Sequence, residues 1–252
     1  MSKEIMKNKL KKRLENGEKT VGAWMTIPHT DISEALSTLP FDWFVFDQEH
    51  STLDDQLSQQ LMQGMRGTDV TPLVRVAWND MVLIKKALDT GAYGVIIPWV
   101  NSKEDAVNAV RACKYPPEGV RGCGPRRTTL LDPEYLETVN DELLIIVQIE
   151  TREAINNVEE ILAVDGIDGF FLGPVDLSTS LGHMGDVQHP EVQHAIEEVF
   201  NTGTEMNAIS GIWKGAGMTI KERIEEGWQM VSLGMDIEFL MKGSRDVLSY
   251  GE

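Results

Sequence analysis

Eight short apolar runs, each followed by a segment with helical spacing, recur along this 252-residue chain, and that alternation restricts the fold more than any other feature. The runs are "VGAWMT" (21–26), "FDWFVFD" (41–47), "TPLVRVAW" (71–78), "YGVIIPWV" (93–100), "ELLIIVQIE" (142–150), "IDGFFLGP" (167–174), "NAISGIW" (207–213) and "QMVSLGMD" (229–236). Most are apolar almost throughout, as expected of parallel strands covered on both faces. Eight β/α units in one chain of this length favour a closed (β/α)8 TIM barrel over a doubly wound open sheet. No linker rich in Pro, Gly or Ser interrupts the pattern, so 1–252 reads as a single barrel domain.

Local signals punctuate the alternation. Asp31 and Glu34 make a plausible capping pair for the first crossover helix, and Gly91 suits a helix stop. "TREAINNVEEILAV" (151–164) reads as one helix with Thr151 as its cap. The N-terminal "MSKEIMKNKLKKRLENG" places Met6, Leu10 and Leu14 at helical spacing and lacks the apolar core of a signal peptide. It predicts a short amphipathic helix. The segment 114–140, with glycines, prolines, Arg121, Arg126 and Arg127, reads as a long loop of functional kind.

Composition narrows the partners. A formal charge of −17 disfavours nucleic acid and anionic membrane surfaces, both of which reward Lys and Arg. No apolar run approaches the ~20 residues that span a bilayer. The two cysteines, Cys113 and Cys123, read as ordinary thiols of a cytoplasmic protein.

In a barrel of this kind, residues at the C-terminal strand ends line the mouth where chemistry is done. Run two ends in Asp47, Glu49 and His50, and run three carries Arg75. Run five ends in Gln148 and Glu150, and run six leads into Gly173, Pro174 and Asp176. Helix capping is the ordinary use of an acid at such a place, and for Asp176 taken alone it weighs equally with a functional role. Glu150 resists that reading because Thr151 is already available as a cap. A buried acid there must be paired, coordinated or solvated. Glu150 and Asp176 on adjacent strands are well placed to share a divalent ion, and two carboxylates with water suit Mg²⁺ or Mn²⁺ better than zinc. His50 is one of five histidines and stands beside acids that can tune an imidazole. Arg75, inside "LVRV", needs a carboxylate from the protein or from a ligand.

The motifs "FDWFVFDQEH", "LVRVAWND", "IKKALDTGA", "YPPEGVRGCG", "VQIETREA" and "GIDGFFLGPVDLSTSLG" together resemble the 4-hydroxy-2-oxoheptanedioate aldolase group of metal-dependent 2-keto-acid aldolases. That group lies in the pyruvate and phosphoenolpyruvate barrel superfamily with citrate-lyase-like enzymes. The resemblance implies a carbon–carbon lyase that reversibly cleaves a 4-hydroxy-2-keto acid to pyruvate and an aldehyde through a metal-stabilised pyruvate enolate. It implies that Glu150 and Asp176 hold the metal (Mg²⁺ or Mn²⁺, with Co²⁺ or Zn²⁺ as alternatives), that Arg75 stabilises the enolate and that His50 is the base. Asp47 would sit beside the metal's water shell, and Gln148 would hydrogen-bond near the metal. The amides after Gly173 and Pro174, at Val175 and Asp176, would grip the substrate carboxylate. Asp89 would pair with His50 from a neighbouring subunit of a homo-oligomer, a hexamer by kinship. Two departures affect the aldehyde end: the loop around Arg126 and Arg127 is shorter than usual, and Trp213 replaces a smaller residue. If Trp213 faces the mouth, it narrows that end of the pocket. Two other readings stand beside this one: a Schiff-base aldolase acting through Lys214, and a barrel that binds a keto acid without catalysis.

Overall fold

The computed structural model describes residues 7–214 and 218–251; Met6 of the N-terminal periodicity and residues 215–217, next to Lys214, lie outside them. Helix α1 (Lys9–Glu15) precedes β1 (Thr20–Met25). Then β1 is followed by α2 (Thr30–Ser37), β2 (Trp43–Asp47) by α3 (Asp55–Gly64), β3 (Thr71–Arg75) by α4 (Met81–Asp89) and β4 (Gly94–Ile97) by α5 (Lys103–Cys113). Two short helices, α6 (Thr128–Leu131) and α7 (Tyr135–Glu142), precede β5 (Leu144–Gln148), which leads into α8 (Arg152–Asn156) and α9 (Val158–Leu162). The remainder is β6 (Gly169–Leu172), α10 (Pro174–Ser180), α11 (Pro190–Glu205), β7 (Ile209–Trp213), α12 (Ile220–Glu226), β8 (Met230–Met235) and α13 (Asp236–Leu248). The eight strands close in chain order, and β8 pairs parallel with β1 to complete a (β/α)8 TIM barrel.

Burial separates two shells. Phe44, Phe46, Val74, Val95, Ile145 and Val147 face the surrounding helices. Trp43, Val45, Leu73, Ile96, Leu144, Ile146 and Phe171 fill the barrel, joined by Leu10 and Leu14 of α1. Gly22 on β1 is required by this packing, because a Cβ there would overlap the Trp43 ring. The amphipathic N-terminal helix predicted from Leu10 and Leu14 is therefore a plug for the barrel floor. Leu14 is 1% exposed, and Leu14→Ala is expected to lower the unfolding free energy by about 2–3 kcal/mol through a cavity the rigid barrel cannot refill. Urea denaturation measures this; a change within the scatter of the midpoint would show that the plug is dispensable.

Three local expectations change. Helix α2 starts at Thr30 and is capped by His29, whose Nδ1 accepts from the Asp31 amide at 3.3 Å, so Asp31 and Glu34 do not form the cap. The 151–164 helix divides at Asn157, which leaves helical geometry and donates from Nδ2 to the Asn101 carbonyl at 2.8 Å. A tertiary bond overrides the local periodicity there. The 114–140 segment is not an open loop. Buried Arg121 donates to Asp89 Oδ1 (2.7 Å) and to the Tyr135 hydroxyl (3.1 Å) and lies over the Tyr115 ring. Arg127 donates to the Thr90 carbonyl and packs against Gly91. Both contacts reach the C-terminal end of α4 or the residues just after it, at the end of the barrel opposite the mouth.

Candidate active site at the barrel mouth

The inward alternation that buries Trp43 and Val45 on β2, Leu73 on β3 and Leu144 and Ile146 on β5 continues to Asp47, Arg75 and Gln148. Two residues beyond the strand ends it reaches Glu49 and Glu150. Register brings Asp47 opposite Arg75 on the neighbouring strand. Arg75 donates from Nε to Asp47 Oδ1 at 2.9 Å and from Nη2 to Asp47 Oδ2 at 2.7 Å, a bidentate pair with both side chains buried. Asp47 Oδ1 also accepts the amides of Glu49 and His50 (3.1 and 3.2 Å), so it shapes the turn that carries them. The guanidinium lies 5.7 Å from the Trp24 ring centre.

Above this pair stand three further carboxylates. Glu150 is 5% exposed; its Oε1 accepts from the Trp99 amide at 3.1 Å and its Oε2 from Gln148 Nε2 at 2.8 Å. Burial first, then the charges of Glu49 and Asp176, push the Glu150 carboxyl up to about 7, against the opposing Trp99 amide bond. Glu49 is likewise raised to about 7, by burial above all, with Arg75 opposing and Asp47 and Asp176 adding. Its Oε2 lies 3.3 Å from Arg75 Nη1 but, among the described residues, is buried without a hydrogen bond. Asp176 is exposed in the first turn of α10, and its Oδ2 would come within 3.1 Å of any Cβ at Gly173. Glu49, His50, Trp99, Glu150, Arg152 and Asp176 line one cavity of about 440 Å³.

This charge balance suits a hard divalent cation. Two carboxyls raised by desolvation above all and then by neighbouring acids, one with an oxygen lacking a hydrogen bond, are short of positive charge, and these donors are all oxygen. Glu49, Glu150 and Asp176 are the residues that could hold it. Their ligand atoms do not all lie within 4.8 Å of one another: among the described residues, the one trio of His, Cys or acid ligand atoms that close is His183, His189 and Glu191 at and just before the start of α11. There the two imidazoles stack at 3.4 Å with planes 14° apart. Parallel rings do not converge their nitrogens on one ion, and Glu191 is already bonded to His183 and Arg152.

The other predicted residues fall as follows. His50 sits at the rim, 59% exposed in its side chain, with Nε2 3.7 Å from Glu49 Oε2. Gly173, Pro174 and Val175 form the start of α10 beside the cavity. Trp213 does not line the cavity; it packs edge-on against Trp24 at 5.2 Å and closes the barrel interior. Lys214 is ion-paired with Glu238 at 3.0 Å and is outside the cavity lining, which leaves a Schiff-base role without support. Within the chain Asp89 lies at the far end of α4, paired with Arg121 and remote from His50. Two site features escaped the sequence reading. Glu49 was placed at the mouth without a role, though it continues the alternation of Asp47. Trp99 was missed, and its left-handed backbone (φ 57°) leaves no local sign. Such a conformation costs a bulky residue about 1–3 kcal/mol and persists here while its amide holds Glu150.

The model of the family described as HpcH/HpaI aldolase/citrate lyase matches residues 20–242. The 4-hydroxy-2-oxo-heptane-1,7-dioate aldolase of Salmonella typhimurium is 40% identical over 243 residues, covering 95% of this chain and 92% of that protein. Among solved structures, an HpcH/HpaI aldolase/citrate lyase family protein from Burkholderia cenocepacia superposes with a TM-score of 0.92 at 32% identity, covering 96% of this chain and 98% of the other. The HpcH/HpaI aldolase from Desulfitobacterium hafniense gives 0.87 at 30%, covering 96% of each chain. Together with a barrel mouth built from paired acids and a buried arginine, these likenesses show that the chain belongs to the HpcH/HpaI aldolase/citrate lyase family and is a carbon–carbon lyase.

Proposed function

We propose that the protein is a divalent-metal-dependent aldolase that reversibly cleaves a 4-hydroxy-2-keto acid to pyruvate and an aldehyde. The observation that carries this reading is the convergence of Glu49, Glu150 and Asp176 with His50 on one cavity above the Arg75–Asp47 pair. Glu150 and Asp176 would hold the cation, with Glu49 close by, and Mg²⁺ or Mn²⁺ fits oxygen donors best. When bound, that cation polarises the keto acid and offsets developing negative charge.

The protein's own groups account for the rest. Asp47 fixes two nitrogens of Arg75 and leaves Nη1 facing Glu49, so a preorganised cation waits where the enolate oxygen develops. In cleavage His50 takes the C4 hydroxyl proton, the C3–C4 bond breaks, and its electron pair passes to the enolate as the aldehyde leaves. Returning a proton to the methylene carbon gives pyruvate. Gln148 holds Glu150 in place. The amides of Val175 and Asp176 bind the substrate carboxylate, with Gly173 and Pro174 setting their approach. Chain assembly, as a homo-oligomer and by kinship a hexamer, would bring Asp89 of one subunit to His50 of another. Ile237, Leu240, Met241, Val247 and Leu248, exposed along α13, are an apolar face suited to such packing. Among the described residues no helix is long and apolar enough to cross a membrane, and with Cys113 and Cys123 both free we place the protein in the cytoplasm.

The test is deuterium exchange of the pyruvate methyl group, followed by NMR with Mn²⁺ or Mg²⁺ and after chelation. Exchange is expected only with metal, and His50→Ala is expected to slow it about 100-fold. Exchange that survives chelation, or an unimpaired His50→Ala variant, would refute the mechanism.

A further inference from the structure

We infer that the floor of the barrel carries a second binding site, built on Arg66 and Arg127, for a phosphate-bearing small molecule; it stands apart from the aldolase reading above. A cleft of about 930 Å³ opens at this end. Its walls are α1, the 65–72 connection from α3 into β3, Gly91 and Tyr93 ahead of β4, and Arg127 and Leu131 at the two ends of α6. These segments lead into strands, so the cleft lies opposite the mouth. Lys and Arg outnumber Asp and Glu along it, in a chain whose formal charge is −17.

Two guanidiniums line this space without an acid. Arg127 is half-buried, and its hydrogen bond goes to the Thr90 carbonyl. Burial first, then the charge of Arg66, lower its proton affinity, with Tyr93 opposing. Gly91, at φ 101°, makes room for it, because a Cβ there would overlap Arg127 Nη1. Arg66 is exposed, and among the described residues neither arginine is ion-paired. Other cations of the same walls are neutralised: Lys9 pairs with Asp69 at 3.2 Å and Lys11 with Asp168 at 2.9 Å. A fixed, partly desolvated guanidinium beside a second one is costly until an anion joins them. One carboxylate satisfies a single fork, whereas a phosphate, with more oxygens and a second charge, matches two. The Lys12 ammonium and the Tyr93 hydroxyl are further donors on these walls. Met65, Val70 and Leu131 supply an apolar side, and the volume takes more than a bare ion.

Titration calorimetry of the full chain with inorganic phosphate and with phenyl phosphate, each with and without Mg²⁺, tests this. Phenyl phosphate is expected to bind with a Kd at or below about 1 mM, whether or not Mg²⁺ is present. Arg66→Gln and Arg127→Gln are each expected to weaken it about 10-fold. Arg127→Lys, which keeps the charge and loses the fork, is expected to weaken it by a smaller factor. Arg66 is exposed, so its variant serves should Arg127→Gln fold poorly. Arg152→Gln, at the mouth, is expected to leave the affinity unchanged. Tighter binding of phenyl phosphate assigns the site to an organic phosphate ester, and equal affinity assigns it to free phosphate. No binding of either probe, or binding that the Arg66 and Arg127 variants leave intact, would overturn the inference. Metal-dependent pyruvate exchange should be unaltered in both variants, so failure of the floor site and failure of the aldolase reading are told apart.

Discussion

Arg75→Ala is expected to lower kcat about 10²- to 10³-fold and to remove about 3–5 kcal/mol of stability. The two effects have different origins. Loss of rate follows from removing the one cation that Asp47 aims at the cavity floor, where enolate charge develops. Loss of stability follows from leaving Asp47, 1% exposed, as a buried carboxylate without its partner. Asp47 would retain only the amides of Glu49 and His50 and the charge of neighbouring acids. A double variant separates the two. Asp47→Asn with Arg75→Met removes both charges, so chemical denaturation should show most of the stability recovered. Activity should stay lost. If Arg75→Ala alone kept near-normal kcat, the guanidinium would be a structural partner of Asp47 and nothing more.

Metal affinity is expected to climb steeply with pH between about 5 and 7.5 and then level off. Glu49 and Glu150 are each raised from 4.5 to about 7 in the folded chain, in both cases chiefly by burial. Below the upper value they hold protons that a divalent cation must displace, so affinity should rise about tenfold per pH unit for each proton released. The metal-free protein should behave oppositely. Between 4.5 and about 7 the folded state binds more protons than the unfolded one, so unfolding free energy falls as pH rises through that window. Stabilisation from the protonated pair is complete below the unfolded value and gone above the folded one. Titration calorimetry with Mn²⁺ in buffers of differing ionisation enthalpy counts the protons directly. Close to two should leave at pH 5.5 and almost none at pH 8. An affinity indifferent to pH would remove these carboxyls from the metal site.

Much of the mouth was legible in one dimension because strands alternate strictly. Once β2, β3 and β5 are recognised, Asp47, Arg75, Gln148 and Glu150 follow as inward-facing continuations of apolar rows. The capping of α8 by Thr151 was equally local, with its hydroxyl accepting from the Ala154 amide at 3.0 Å. Past the strand ends that logic stops, because loop dihedrals rather than periodicity decide where a side chain points. His50 lies at the exposed rim while Glu49, its neighbour, is buried against Arg75. Trp99 reaches the cavity only through a backbone conformation its residue type disfavours. The 114–140 segment reads as a long functional loop from its glycines, prolines and arginines, yet Arg121 and Arg127 secure it to the end of α4.

Local pattern alone therefore dictated the barrel, its order of elements and the rows of residues that emerge at its open end. Each of those depends on neighbours in sequence and on burying an apolar face. Register between strands decided the rest: it set Asp47 opposite Arg75 and buried Glu49 and Glu150 at one mouth, where desolvation first and neighbouring acids second raise their proton affinity. Such couplings are distances between residues far apart in the chain, and they exist only once the barrel closes.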